Sequence, residues 1–159
     1  MAGQWPGWQA DYVIGREMVV ICSPARLAAR RACGLWDRPI GLLGEPLLYH
    51  SNGPDNWARW FDAAGVQRDA ITLASGFEQV SILVRAVMAD MGIAVLQRCL
   101  VQDDLQAGHV VSPFPDLRIA IARGYHLCAP PQRRDHYALA CFRDWLLDTA
   151  RQDPEAAMP

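Results

Sequence analysis

The sequence predicts an α/β domain built on an open sheet with helices on both faces. Three observations carry that reading. Short apolar runs of β-type residues recur along the chain. Segments with an apolar period near 3.6 lie between them. The connections are short and carry Gly, Pro, Ser or Asn at the joints.

The first seventeen residues are rich in Gly, Pro and Trp without a clear period, and read as a loop or a strand remnant. Residues 18–22, Met-Val-Val-Ile-Cys, form a buried strand. Ser23-Pro24 then opens a helix over 25–32, with Ser as N-cap, Pro at the first helical position and the arginines facing outward. Residues 39–46 are a Gly- and Pro-rich connector, and 47–50 the next strand. The turn cluster Ser51-Asn-Gly-Pro-Asp55 leads into a helix over 54–64, stopped by Gly65. Trp57, Trp60 and Phe61 share one face of it, read as a core stripe rather than an aromatic binding platform.

Residues 70–74 are a third strand candidate. Ser75-Gly76-Phe77 leads into a helix reaching 91, with Phe77, Val80, Leu83, Val84 and Val87 on one side and Gly92 as its stop. Residues 93–96 are a buried strand, 100–106 a short helix closed by Gly108, and 109–111 a further strand. A last strand over 123–129 and a last helix over 135–152 precede a polar tail.

Composition narrows the function. At 159 residues, 52% hydrophobic and 20% charged, the chain suits one ordinary globular domain or a compact part of a larger one. A formal net charge of -2 argues against this chain holding nucleic acid by itself, which needs a concentrated basic face. All 15 basic residues are Arg, which reads as coding bias rather than arginine-led recognition. No apolar run approaches the roughly 20 residues of a membrane helix, and the start lacks the pattern of a signal peptide. The 5 cysteines show no C-x-x-C pairing, and the expectation is a reduced, cytoplasmic protein.

No Gly-rich phosphate loop, nucleophile elbow or H-E-x-x-H pattern occurs. The four histidines are too dispersed to propose a metal cluster, and no cofactor is expected. A Cys22–His50 nucleophile–base pair lacks an orienting acid, and Asp103-Asp104 reads as a solvated helix end. The chain is therefore not expected to be an enzyme. In open α/β sheets, ligands sit beyond the carboxyl ends of the strands, near free helix N–H groups. Here those ends carry Ser23, His50-Ser51 and Ser75-Gly76-Phe77, and together they are expected to form a small polar cleft suited to an anion.

The block Gly92-Ile-Ala-Val-Leu96 with Leu100-Val-Gln-Asp-Asp-Leu-Gln-Ala-Gly-His-Val-Val-Ser-Pro-Phe114 resembles the effector-binding domain of LysR-type transcriptional regulators, in the branch resembling the glycine-cleavage activator. Three further segments fit that family in order: Gly3 to Gly7 with Glu17 to Ala25, Pro46 to His50 with Trp57 to Gly65, and Gly124 to Pro130 with Phe142 to Leu147. The resemblance covers nearly the whole chain.

It implies a periplasmic-binding-protein-like fold, with crossover strands near 18–22 and 124–129. Residues 18–115 would be the second lobe, and 1–17 and 116–152 remnants of the first, so the chain would be a partial effector domain. The family's winged helix-turn-helix and linker helix are not in it, and DNA would be reached only through that missing segment. By the same resemblance, a small effector such as a carboxylate or amino acid would be bound by His50, Ser51, Ser75, Gly76 and Phe77, whose other role is as caps and turn residues. A homo-oligomer is expected, with no membrane partner. The alternative is a truncated interaction or dimerisation module without effector binding.

Overall fold

The computed structural model describes residues 6–120, 124–133 and 136–153. The chain forms two compact units. One is continuous, Met18–Ile119; the other joins the chain before it to the chain after it. The chain therefore passes between units at 17/18 and again at 119/120.

The continuous unit is built on a five-stranded sheet. Its strands are β2 (Glu17–Ile21), β3 (Leu47–His50), β4 (Leu73–Phe77), β5 (Ile93–Gln97) and β6 (Ile119–Ala120), in the order β4-β3-β5-β2-β6. β3 runs parallel to both β4 and β5, whereas β2 runs antiparallel to β5, with Met18 opposite Gln97 and Ile21 opposite Ala94. Helix α1 (Pro24–Ala32) follows β2, α2 (Asn56–Ala63) follows β3, α3 (Val80–Met88) follows β4, and α4 (Gln102–Gln106) follows β5.

β2 and β5 are buried on both faces, which is why they read as unbroken apolar runs rather than alternating ones. Val19, Ile21, Leu48, Ala94 and Leu96 pack on one face with Leu83, Val84 and Val87 of α3. Their alternate neighbours Val20, Leu47, Ile93 and Val95 are equally buried on the other. There α2 lies against β3 and β5. Trp57, Trp60 and Phe61 are buried on it: Trp57 stacks on Phe61 at 5.4 Å and donates its indole N–H to the Leu48 carbonyl at 2.8 Å. The aromatic stripe is core.

The other unit contains β1 (Gln9–Ile14), β7 (Tyr125–Ala129) and α5 (Tyr137–Arg151). β1 and β7 form an antiparallel ribbon from Gln9 opposite Ala129 to Ile14 opposite Tyr125, and α5 packs against β1. So the first residues include a true strand. The second passage between units falls at Ile119–Ala120, upstream of β7, and not at 124–129 as the resemblance implied. Residues 123, 134 and 135 and the tail from 154 lie outside the described residues.

Several local expectations change. β4 begins and ends three residues later than the apolar pattern indicated, so Ser75, Gly76 and Phe77 are strand rather than helix start. Pairing with β3 decides this, with Tyr49 opposite Gly76 and His50 opposite Phe77. Residues 109–111 are not a strand. The His109 and Val110 amides are spent on the Asp104 carbonyl, closing α4, and only Val111 bridges to Cys22.

Helix α3 is stopped by Asp90, not Gly92. Asp90 takes a left-handed φ of 60°, and its amide and that of Met91 return to the Val87 and Ala86 carbonyls. Gly92 serves another purpose: a Cβ there would land on the Pro46 carbonyl oxygen and within 2.9 Å of Leu48 Cγ. That close approach lets the Ile93 amide reach Pro46 O at 3.0 Å and start the β3–β5 pairing.

The arginines of α1 do not all face solvent. Arg26 donates from Nε to Asp90 at 2.7 Å and from Nη1 to Glu45 at 2.5 Å, and Arg30 donates to the same Glu45. Glu45 is buried between them. Ser23 caps α1 by accepting from the Arg26 amide and donates its own hydroxyl to Asp90 at 2.7 Å. This network ties α1, the turn before β3 and the α3–β5 turn at one edge of the sheet.

Two outcomes follow from these contacts. Gly92→Ala should cost about 1–3 kcal/mol in urea unfolding, because the obstacle is backbone. Gly44→Ala, where a Cβ meets nothing within 4 Å, should stay within about 0.5 kcal/mol. Hydrogen bonds from Arg26 and then Ser23 hold the Asp90 carboxyl below its ordinary value of 3.8. Its stabilising effect is thus whole above that value and is lost as pH falls through the lowered one. Asp90→Asn, which tolerates the same backbone, should flatten the stability-against-pH curve on the acid side only.

Candidate functional site

Because β3, β4 and β5 are parallel, their carboxyl ends share one edge of the sheet, and His50, Phe77 and Gln97 stand there. β2 runs the other way, so its carboxyl end lies at the opposite edge, level with the starts of β3 and β5. Ser23 is therefore not part of the cleft expected from the strand ends. Its hydroxyl is already committed to Arg26 and Asp90.

The same reversal separates Cys22 from His50. Cys22 is fully buried beside Val111, and burial pushes its thiol up to about 12. A thiol held protonated in the core is no nucleophile.

At the polar edge, the Ser51 amide donates to the Phe77 carbonyl at 2.9 Å, fastening the end of β3 to that of β4. Gly53 N–H returns to the His50 carbonyl at 2.9 Å and turns the chain toward α2. His50 Nε2 lies 2.9 Å from the Glu78 carbonyl oxygen. A carbonyl only accepts, so Nε2 is the donor in this contact. His50 thus bridges the end of β3 to the junction between β4 and α3.

That junction leaves α3 uncapped by any side chain: Gln79 occupies the cap position without bonding the first-turn amides. Free N–H groups and the positive end of the helix dipole therefore remain at this edge.

The five expected site residues fall as follows. His50 and Ser51 stand at the edge itself, half-buried and exposed respectively. Phe77 stands beside His50, partly packed against the core under α3. Gly76 and Ser75 lie one and two residues back along exposed β4. A Cβ at Gly76 would come within 2.6 Å of the Tyr49 ring, which would have to shift to admit it. Glu78, not among the five expected residues, meets His50 through its backbone carbonyl. Its position between strand and helix was hidden by the three-residue misplacement of β4. Among the described residues, no group of three His, Cys, Asp or Glu side chains could hold a metal ion.

A mixed sheet with helices on both faces, and polar groups at the carboxyl edge of its parallel strands, defines the open α/β sheet class. The sequence profile described as LysR substrate binding domain matches residues 1–151, and the chain belongs to that family.

Relatives agree. The chain is 34% identical over 125 residues to the HTH-type transcriptional regulator TrpI of Pseudomonas aeruginosa, covering 73% of this chain and 41% of that protein. It is 32% identical over 148 residues to the HTH-type transcriptional activator AmpR of Citrobacter koseri, covering 93% and 48%. The glycine cleavage system transcriptional activator of Escherichia coli matches at 24% over 153 residues, covering 96% and 48%. The chain thus spans about half the length of the curated relatives it matches.

Among solved structures, the effector domain of Pseudomonas aeruginosa AmpR superposes with a TM-score of 0.76 at 26% identity, covering 94% of this chain and 68% of that one. The Citrobacter freundii AmpR effector-binding domain gives 0.76 at 25%, covering 96% and 72%. The fold is that of LysR effector-binding domains, as the sequence resemblance implied.

The state of Cys22 is open to a direct check. In the native protein at pH 8, Cys22 should stay unlabelled by a thiol reagent while exposed Cys33 reacts, as read by peptide mass mapping.

Proposed function

We propose that this chain is the effector-sensing part of a LysR-type transcriptional regulator, and that His50, Ser51, Ser75, Gly76 and Phe77 contribute to its effector site. The observation that carries the reading is the hydrogen bond from His50 to the Glu78 carbonyl, at the carboxyl edge of three parallel strands. It joins two strand ends to the uncapped start of α3 and leaves several polar groups there for a ligand. The effector is a small carboxylate-bearing molecule, an amino acid among the candidates. First-turn amides of a helix suit a carboxylate, and so do nearby hydroxyls.

In this reading the Met18–Ile119 unit corresponds to the family's second lobe, and the other unit to the returning part of the first. DNA is contacted by a domain outside this chain, the regulator is a cytoplasmic homo-oligomer, and catalysis has no part in its work. Effector binding shifts a conformational equilibrium by its different affinity for two states. Names of the relatives support this reading over a bare interaction module, since each is a transcriptional regulator or activator.

Amide-resolved NMR titration with small carboxylates tests the site. Shifts should concentrate at residues 50–51 and 75–80, and His50→Ala should weaken binding at least about fivefold, the loss of roughly one net hydrogen bond. Shifts confined to other surfaces, or binding indifferent to His50→Ala, would overturn the assignment.

A further inference from the structure

The unit that joins β1, β7 and α5 lacks a core of its own. Among the described residues, every fully buried apolar side chain lies in Met18–Ile119. A two-stranded ribbon is marginal in water until something packs on it. Helix α5 does pack on β1, yet none of its 15 residues is fully buried.

That helix is apolar on two faces. Leu139, Leu146, Leu147 and Ala150 are half-buried on one, where Leu147 and Ala150 face β1. Ala138, Cys141, Phe142 and Trp145 are exposed on the other, at the spacing of a helix-pairing seam. Trp145 is 60% exposed and its ring lies 5.8 Å from that of Phe142. A helix apolar all round is ordinarily covered on both sides.

This chain has little left to cover it with. Five residues at one end and six at the other lie outside the described ones, too few to lay a further element along a 15-residue helix. A second copy brings a surface that matches, since an aromatic stripe can be laid on its own twin across a twofold axis. The charges favour the antiparallel arrangement. Residues 131–137 carry one net positive charge at the start of α5, and 148–153 one net negative charge at its end. Each has the wrong sign for its own end of the helix dipole, and an antiparallel twin brings the opposite sign to both.

We infer that two copies of this chain pair through α5, antiparallel, with Phe142 and Trp145 of each buried against the other. This deepens the homo-oligomer reading above by naming its surface, and it is independent of the effector site.

Analytical ultracentrifugation of the whole 159-residue chain tests it. Twice the chain mass is expected, with a Kd below about 100 µM. The double substitution Phe142→Ser, Trp145→Ser should weaken association at least about tenfold. Ile82→Ser, an exposed apolar position on α3, should leave it unchanged. The unaltered chain supplies a second readout. Maleimide labelling of Cys141 should slow as protein concentration rises, while that of exposed Cys33 does not. A chain that stays monomeric up to about 100 µM overturns the pairing and leaves the face to a different polypeptide. A dimer that survives the double substitution, or that Ile82→Ser breaks, overturns the α5 surface while the homo-oligomer reading stands. So does Cys141 labelling that is indifferent to concentration in a sample shown to be dimeric.

Discussion

The antiparallel seating of β2 against β5 decides where everything else in the Met18–Ile119 unit can be. β3, β4 and β5 all point one way, and a fourth strand running with them would have placed its loop among theirs. β2 points the other way, so Ser23 and α1 emerge at the amino edge of the parallel set. Two edges with different chemistry result. At one, charged side chains are spent on each other; at the other, His50 bonds the Glu78 backbone carbonyl and the start of α3 has no side-chain cap.

The spent edge is where charge is worth most. Arg26, Arg30, Glu45 and Asp90 converge with Ser23, and the Glu45 carboxylate is buried with two guanidiniums. Surface ion pairs contribute little, and buried ones recover a desolvation cost only if their hydrogen bonds are complete. Here Glu45 receives both arginines, and Arg26 reaches both the side chain and the backbone carbonyl of Asp90. The network also settles a backbone conformation. Asp90 sits at a left-handed φ that usually falls to Gly, and bonds from Ser23 and Arg26 hold its side chain in place. Helix α3 is thereby stopped two residues before the glycine that the sequence offers, and that glycine is released for the close approach to Pro46.

Local chemistry was legible in the sequence, and pairing was not. Ser23 and Pro24 announce α1 because cap and first-turn preferences act within four residues. Trp57, Trp60 and Phe61 announce a buried face because helical period is local too. The family was legible from the Gly92 block and three other segments, and the matched profile agrees. The direction of β2 leaves no mark in Met-Val-Val-Ile, since a strand buried on both faces reads the same either way. The placement of β4 is equally silent. Ser75 and Gly76 look like a turn, yet Tyr49 lying over Gly76 makes them strand. His50 and Ser51 were legible as the end of β3. The role of Glu78 depends on where β4 stops, a matter of cross-strand register.

The division of the two edges bears on how such a domain could sense a ligand. A site formed only by loops would deform to fit whatever arrived, and little differential affinity between states would result. Here the polar edge rests on strands whose opposite ends are locked by charge, with α2 and α3 packed against the two faces. The bond from His50 to the Glu78 carbonyl then fixes the ring's orientation before any ligand is present. Preorganised donors and acceptors lose little entropy on binding, so the free energy of a matching ligand is available for shifting a conformation rather than for building the site. On the proposed reading, rigidity at the network of Arg26, Glu45 and Asp90 is in this sense the condition for selectivity at the edge where His50 stands.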